Sequence, residues 1–343
     1  MPEVRVLDIA ELPLGTKRLV KVGNLEILLI HYEDGIAAVQ SKCPHAGGPL
    51  HEGAVCNGRL VCPWHMGTFV LPERRLLEPP PMEALKSYRV RVKGKSIFLD
   101  TNPKSAAPDC SGQIEAESIF LIVGAGAAGS MAATTLRQNC FAGRLVMVDP
   151  RPEEPIDRTQ LSKDALTGKV PLTDIKLPTS PIVREDRRCA TLKSLSAARR
   201  EAKLSDGSTI RFDRALVATG GKPKRLDIPG AELAYTIRES TDVKRILDAT
   251  ESIKEVVILG GSFIALEAAS ALVQKGLHVT VAAKETLPFE KQFGTEPAMA
   301  LKKLHESKGT EFRLGCEFVK ITTEGVEIRD GDRSVSTSLR QVA

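Results

Sequence analysis

Aromatic side chains are scarce in this chain: 343 residues carry ten Phe, three Tyr and one Trp. So few rings leave little to stack on unpaired bases, and no long run of one charge is present to follow a phosphate backbone. The 48 basic and 43 acidic residues leave a net charge of only +5, so no nucleic-acid partner is expected. No C-x-x-x-x-C stands near the first Gly-rich turn, which argues against a disulfide reductase, and no Ser/His/Asp or metallohydrolase pattern occurs. Met1 leads into an acid-containing segment without an apolar h-region, so no secretory signal is expected. The longest uncharged run, Ser118 to Leu136, has the length of a bilayer crossing but is interrupted by Gly124, Gly126 and Gly129 and diluted by Ala and Thr. Seven cysteines lack the spacing of a disulfide framework, and free thiols suit a reducing compartment. A cytoplasmic protein without a membrane span is the expectation.

What is present is a pair of ligand-bearing loops. Cys43-Pro-His45 and Cys62-Pro-Trp-His65 are separated by the sixteen residues Ala46 to Val61. Thiolate with imidazole suits either zinc or an iron–sulfur centre. Each pair sits among Gly and Pro and not on a helix, whereas a Cys2His2 zinc finger collects both histidines on one helix. One Cys and one His from each loop suit a 2Fe–2S cluster with Cys43 and Cys62 on one iron and His45 and His65 on the other. With the flanking P-H-x-G-x-P-L and P-W-H-x-G-x-F, residues 1–101 resemble a Rieske domain; a structural zinc site is the alternative. Gly48 and Trp64 stand where respiratory-complex Rieske proteins have a disulfide pair, so the resemblance is to the ferredoxin type, with a lower potential expected. Imidazole ligands that lose protons on oxidation would make that potential pH-dependent above neutrality.

The remainder of this region reads as short strands. Leu25, Ile27 and Leu29 alternate with other residues, and Asp34-Gly35 is a hairpin signal leading into Ile36 to Val39. Both ligand loops are expected at hairpin tips. Pro79-Pro80-Pro81 precedes two last strands, Tyr88 to Val92 and Ser96 to Leu99, and the resemblance gives such a loop the task of covering the cluster. Residues 102–117, rich in Pro, Ser, Ala and charge and containing Cys110, read as a linker.

Ser118 to Val123, then Gly124-Ala-Gly126-Ala-Ala-Gly129, then Ser130 to Gln138 give strand, G-x-G-x-x-G and helix in the order a dinucleotide-binding unit requires. Asp149 ends the next strand, Arg144 to Val148, where a carboxylate binds ribose hydroxyls. The following Pro155-Ile156-Asp157-Arg158 and Leu161-Ser162-Lys163 resemble the Y-D-R-x-x-L-S-K segment of FAD-dependent ferredoxin reductases and apoptosis-inducing-factor-like proteins, with Ile156 replacing the Tyr. That resemblance implies flavin contacts for Arg158 and Lys163, and a chain passing the flavin at Ala218-Thr219-Gly220. The interval between Lys163 and Ala218 is shorter than in that family.

A second unit starts at Glu255, with strands Val256 to Leu259 and His278 to Ala282. Its turn keeps Gly260 but has Ser262 for the middle Gly and Ala265 for the last. Ala is tolerated at the last position, whereas Ser262 puts a hydroxyl where pyrophosphate approaches. At the second strand's end Ala283-Lys284 replaces the carboxylate of an NAD enzyme, so Lys284 is a candidate 2′-phosphate contact. Glu267 matches the family's acidic residue near the nicotinamide, and Lys163 and Glu267 are the candidate catalytic pair. The family's closing A-x-G-D strand is not matched, because Gly331-Asp332 sits in a charged hairpin pattern; by the resemblance, the last strand of this second unit is expected only after Val342. His31, His51, His278 and His305 lack ligand spacing and read as ordinary residues.

The resemblance thus implies a multidomain chain: an all-β Rieske domain (1–101), the linker, and α/β Rossmann-like FAD-binding (118–235) and incomplete NAD(P)-binding (236–343) domains of the pyridine nucleotide-disulfide oxidoreductase type. It implies an NAD(P)H-dependent oxidoreductase that uses FAD and a 2Fe–2S cluster and delivers electrons to a protein or small-molecule acceptor. The other reading is a Rieske electron carrier with an incomplete flavoprotein half. Lys284 predicts that NADPH serves as reductant; comparing initial reduction rates with NADPH and NADH tests this, and strict NADH preference would contradict it.

Overall fold

β-Branched and leucine-rich segments punctuated by Gly, Asn and Asp build the first hundred residues into ten short strands. The computed structural model describes residues 3–71, 75–104, 115–177, 186–330 and 333–337. Strands β1 (Val4–Asp8), β2 (Lys17–Val22), β3 (Leu25–Tyr32) and β4 (Gly35–Gln40) are followed by β5 (Ala54–Cys56), β6 (Arg59–Val61), β7 (Thr68–Val70) and β8 (Leu76–Glu78), then β9 (Ser87–Lys93) and β10 (Ser96–Lys104). They form two antiparallel sheets, ordered β1-β10-β9-β4-β3-β2 and β5-β6-β7-β8.

Strand β3 departs from the expected alternation. Ile27, Leu28, Leu29 and Ile30 are all fully buried, because β3 divides two cores. Ile27 and Leu29 pack with Leu7, Tyr88, Ile97 and Leu99, while Leu28 and Ile30 pack with Cys43, Leu60, Cys62 and Phe69. A strand covered on both faces reads as a continuous apolar run. The first ligand loop is the tip of a minimal hairpin closed by a single antiparallel bridge, Lys42 to Pro49, on the path from β4 of the larger sheet to β5 of the smaller one, while the second is the tip between β6 and β7.

Beyond the linker come β11 (Ile119–Val123), α1 (Ala127–Gln138), β12 (Arg144–Val148), α2 (Asp164–Thr167), β13 (Arg187–Arg188), β14 (Leu192–Ser196), β15 (Glu201–Leu204), β16 (Thr209–Arg211) and β17 (Arg214–Val217). The parallel sheet β13-β12-β11-β17 is the expected dinucleotide half, and β14-β15-β16 is a small antiparallel sheet turning at Asp206-Gly207. A Cβ at Gly129 would collide with the Gly124 carbonyl, so only Gly lets α1 begin this close to the strand.

The last elements are α3 (Ser240–Thr250), β18 (Glu255–Leu259), α4 (Phe263–Gln274), β19 (His278–Ala283), α5 (Glu290–Phe293), α6 (Thr295–Ser307), β20 (Thr310–Leu314), β21 (Glu317–Thr322), β22 (Gly325–Asp330) and β23 (Arg333–Thr337). Strands β18-β19-β20 are parallel and β21-β22-β23 antiparallel.

Two compact units result: Met1–Arg151 with Pro178–Ala218, and Pro152–Leu177 with Thr219–Ala343. The sequence-based division at 235/236 does not coincide with this one. Leu161, Ala165, Leu166 and Ile175 are buried among Leu266, Ala269 and Leu272 of α4, which carries residues 152–177 into the second unit. Strand β10 runs to Lys104, past the expected end of the first domain. Most of the 102–117 linker, including Cys110, lies outside the described residues, as do Gly331-Asp332 and Val342. Cys140 is disulfide-bonded, against the expectation of free thiols, whereas Cys43, Cys56, Cys62 and Cys189 are free. Among the described residues no helix is long and apolar enough to cross a membrane.

Phe69 is fully buried beneath both ligand loops. Phe69→Ala is expected to destabilise the first hundred residues by about 3–5 kcal/mol, read as a lower urea midpoint at unchanged slope; a loss below about 1 kcal/mol would contradict this packing.

Candidate functional site

The two ligand loops are built to one plan. In the first, the Cys43 N–H donates to the Gly48 carbonyl at 2.8 Å and the Gly47 N–H returns to the Cys43 carbonyl at 2.9 Å. In the second, the Cys62 N–H donates to the Gly67 carbonyl at 2.9 Å and the Met66 N–H to the Cys62 carbonyl at 3.2 Å. The fourth residue after each Cys has positive φ, 75° at Gly47 and 61° at Met66. Each turn therefore points its Cys inward and its His outward.

Cys43 and Cys62 are buried, at 4% and 1% exposure, while His45 and His65 are exposed. Burial first, and the neighbouring Cys62 after it, push the Cys43 thiol up to about 11, against backbone N–H groups of His45 and Ala46 that lower it. The Nδ1 atoms of His45 and His65 stand 3.3 Å apart, with ring planes at 83°. Two imidazole nitrogens held at about 2.0–2.1 Å by one tetrahedral ion would lie about 3.3 Å apart. Among the described residues no three His, Cys, Asp or Glu side chains are grouped so that one metal ion could be held by all of them. A pair of thiols inside and a pair of imidazoles outside fits two irons with two protein ligands each better than a single zinc. The loops also interlock. A Cβ on Gly48 would lie 2.9 Å from Cys62 Sγ, and one on Gly67 would lie 2.5 Å from Pro81 Cδ, so the proline loop sits directly on the second ligand loop.

In the first unit, the turn after β11 is tied to β12 by Gly124 N–H to the Val148 carbonyl at 2.8 Å. Asp149 is buried, and its oxygens accept from the Ala125 N–H at 2.7 Å, the Arg151 N–H at 3.0 Å, and Arg151 Nε and Nη2, each at 2.8 Å. Burial alone would raise its pKa, but these bonds win and hold it near 2 against an ordinary 3.8. A carboxylate has about four acceptor positions. All are filled here, so a ribose would have to displace Arg151. Ala218 continues β17 beside β11, its N–H on the Val123 carbonyl at 2.7 Å.

In the second unit, Arg158 is held by Glu239 at 2.6 Å and by the Arg238 carbonyl at 3.0 Å. Lys163 Nζ lies 3.5 Å from Glu267, whose other oxygen accepts from Ser162 Oγ at 2.6 Å. Arg158, Ser162, Lys163, Arg238, Phe263 and Glu267 line a cleft of about 310 Å³. Sequence reasoning placed Ser162 in the L-S-K segment without giving it a role, and missed Arg238 and Arg151 as neighbours of the site. For Arg151 a signal existed, a cation two residues after the strand-end carboxylate. Thr219 and Gly220 belong to this unit, and a Cβ on Gly220 would lie 3.0 Å from Arg238 Nη2.

The turn into α4 mirrors the first one, with Gly260 N–H on the Ala282 carbonyl at 2.7 Å. Ser262 caps the helix, its hydroxyl taking the Ala265 N–H at 3.3 Å, a donor that a pyrophosphate would otherwise use. β19 ends on the fully buried Ala283, and the exposed Lys284 follows it, so no carboxylate stands at the strand-end position.

Residues 119–340 match the family model "Pyridine nucleotide-disulphide oxidoreductase" and residues 3–89 match "Rieske [2Fe-2S] domain". The chain is 28% identical to apoptosis-inducing factor 3 of Homo sapiens, over 96% of this chain and 56% of that protein. It is 30% identical to the 3-phenylpropionate/cinnamic acid dioxygenase ferredoxin–NAD(+) reductase component of Photorhabdus laumondii, over 61% of this chain and 54% of that one. The crystal structure of a ferredoxin reductase from Rhodopseudomonas palustris superposes with a TM-score of 0.60 at 25% identity, covering 66% of this chain and 58% of that chain. The chain therefore spans about half the length of the curated relatives it matches.

Because Asp149 is held below its ordinary pKa, its pairing adds stability that is complete above about pH 4 and is lost as pH falls toward 2. Arg151→Ala is expected to cost about 2 kcal/mol at pH 7 and far less near pH 2. Urea unfolding across that range measures it; an equal deficit at both ends would contradict the assignment.

Proposed function

The chain belongs to the pyridine nucleotide-disulphide oxidoreductase family and carries a Rieske [2Fe–2S] domain in front of it, and on that premise we propose that it passes electrons from NAD(P)H through FAD to the 2Fe–2S cluster and on to an acceptor. The two domains call for a 2Fe–2S cluster, FAD and NAD(P)H as cofactors. When bound, FAD exchanges a nicotinamide hydride for single electrons, and the cluster carries those electrons one at a time.

The residues divide this work. Gly124, Gly126 and Gly129 open the N-terminus of α1 to the flavin pyrophosphate, with Asp149 turned to the ribose once Arg151 moves aside. Arg158 and Lys163 hold the flavin, and the chain passes it at Ala218, Thr219 and Gly220. Gly260, Ser262 and Ala265 take the nicotinamide nucleotide at α4, and Lys284 its 2′-phosphate. Lys163 and Glu267, brought within 3.5 Å, would present a charged pair to the flavin and the nicotinamide. Cys43 and Cys62, buried, would hold one iron, while His45 and His65, exposed, would hold the other and offer the exit to a protein or small-molecule acceptor. The observation that carries this reading is the convergence of His45 and His65 above two buried cysteines, in one chain with a paired Lys163–Glu267 cleft. The second reading, a Rieske carrier with a vestigial flavoprotein half, draws on Ser262, whose hydroxyl already occupies the Ala265 N–H.

Anaerobic titration of the purified protein with NADPH, followed by visible absorption, separates the two. Coupled transfer bleaches the flavin and then the cluster, and Cys62→Ser keeps the flavin phase while losing the other. A protein holding both chromophores whose cluster band ignores the nucleotide would contradict the relay.

A further inference from the structure

We propose that Ser162 is a positioning residue that fixes the Glu267 carboxylate, and through it Lys163, on the wall of the cleft in the second unit. The inference rests on the reading of that cleft given above and adds a residue to it. Lys163 and Glu267 keep 46% and 35% of their side-chain exposure. A pair this wet, meeting at 3.5 Å, has little power to hold its own geometry, because solvent screens the attraction and both side chains lose rotamer freedom in meeting. Ser162 supplies what the ion pair lacks. It is 3% exposed, and its hydroxyl donates to Glu267 Oε2 at 2.6 Å. That distance falls in the range of a charge-assisted O–H···O⁻ bond, about twice as strong as a neutral one.

The hydroxyl is itself placed by packing. Leu161 and Leu166 on either side of it are fully buried in the core that contains Ala265, Leu266 and Ala269 of α4. The segment is thus clamped to the helix that carries Glu267, and Ser162 faces the carboxylate without a free rotamer search. With Oε2 occupied, Oε1 is left toward Lys163 Nζ. One buried serine therefore sets the carboxylate plane, and the plane sets where the ammonium group points.

The test uses Ser162→Ala, Glu267→Gln and the double variant, each loaded with FAD, with flavin content from absorbance and flavin reduction by NADPH in stopped flow. Ser162→Ala is expected to retain FAD, to change the NADPH concentration dependence by less than about twofold, and to lower the limiting reduction rate about tenfold to fiftyfold. In the Glu267→Gln background the same change is expected to cost less than about twofold, because the partner it orients is already gone. The urea midpoint of the flavin-free protein should show the same non-additivity. A full rate in Ser162→Ala, or losses that multiply in the double variant, would overturn the role of Ser162 alone. A full rate in Glu267→Gln would overturn the reading of the cleft beneath it.

Discussion

Two thiols held inside the protein and two imidazoles held outside it, by loops of the same hydrogen-bonded form, are the constraint on which the first hundred residues depend. Each loop closes on its cysteine through the same pair of backbone bonds, and the fourth residue along adopts positive φ, which costs Met66 more than it costs Gly47. The reward is a fixed orientation. Cysteine is turned into a core shared with Phe69 and Leu60, and histidine is turned to solvent where its partner's Nδ1 lies 3.3 Å away. The smaller sheet exists to present the second loop, and the larger sheet covers the other side of the same core through Leu28 and Ile30.

The second unit solves a similar positioning problem with different means. Its candidate site residues come from two distant segments, 158–163 and the start of α4, and an apolar core joins them. Leu161, Leu166 and Ile175 hold the first segment against α4, so the charged groups above them need only short-range pairing: Arg158 with Glu239, Lys163 with Glu267, and Ser162 with Glu267. Polar groups arranged this way over a packed base are oriented before any ligand arrives, which is the physical content of preorganisation.

How much of this was legible in the sequence follows from where each constraint resides. The two Cys–His loops were legible because they are marked by residue type and spacing, and the Gly/Pro surroundings reported loops. The turn at Gly124 to Gly129 was legible because strand, turn and helix follow one another in the chain. Arg238 was not, and neither was the bond Ser162 makes: the L-S-K segment marks the position of Ser162, but nothing local tells which distant carboxylate its hydroxyl meets. The two-sided burial of Ile27 to Ile30 escaped because alternation of Leu25, Ile27 and Leu29 is visible locally, whereas the second core that covers Leu28 and Ile30 is assembled from residues 37–85. The displacement of residues 152–177 into the second unit has the same origin: its cause is the apolar face of α4, a hundred residues downstream.

The central claim is that the two loops clasp a bridged pair of irons and not a single ion. Metal and acid-labile sulfide analysis of anaerobically purified protein tests it most directly. The account predicts two iron atoms and two labile sulfides per chain, both lost when His45 or Cys43 is replaced. Stoichiometric zinc without labile sulfide would contradict it.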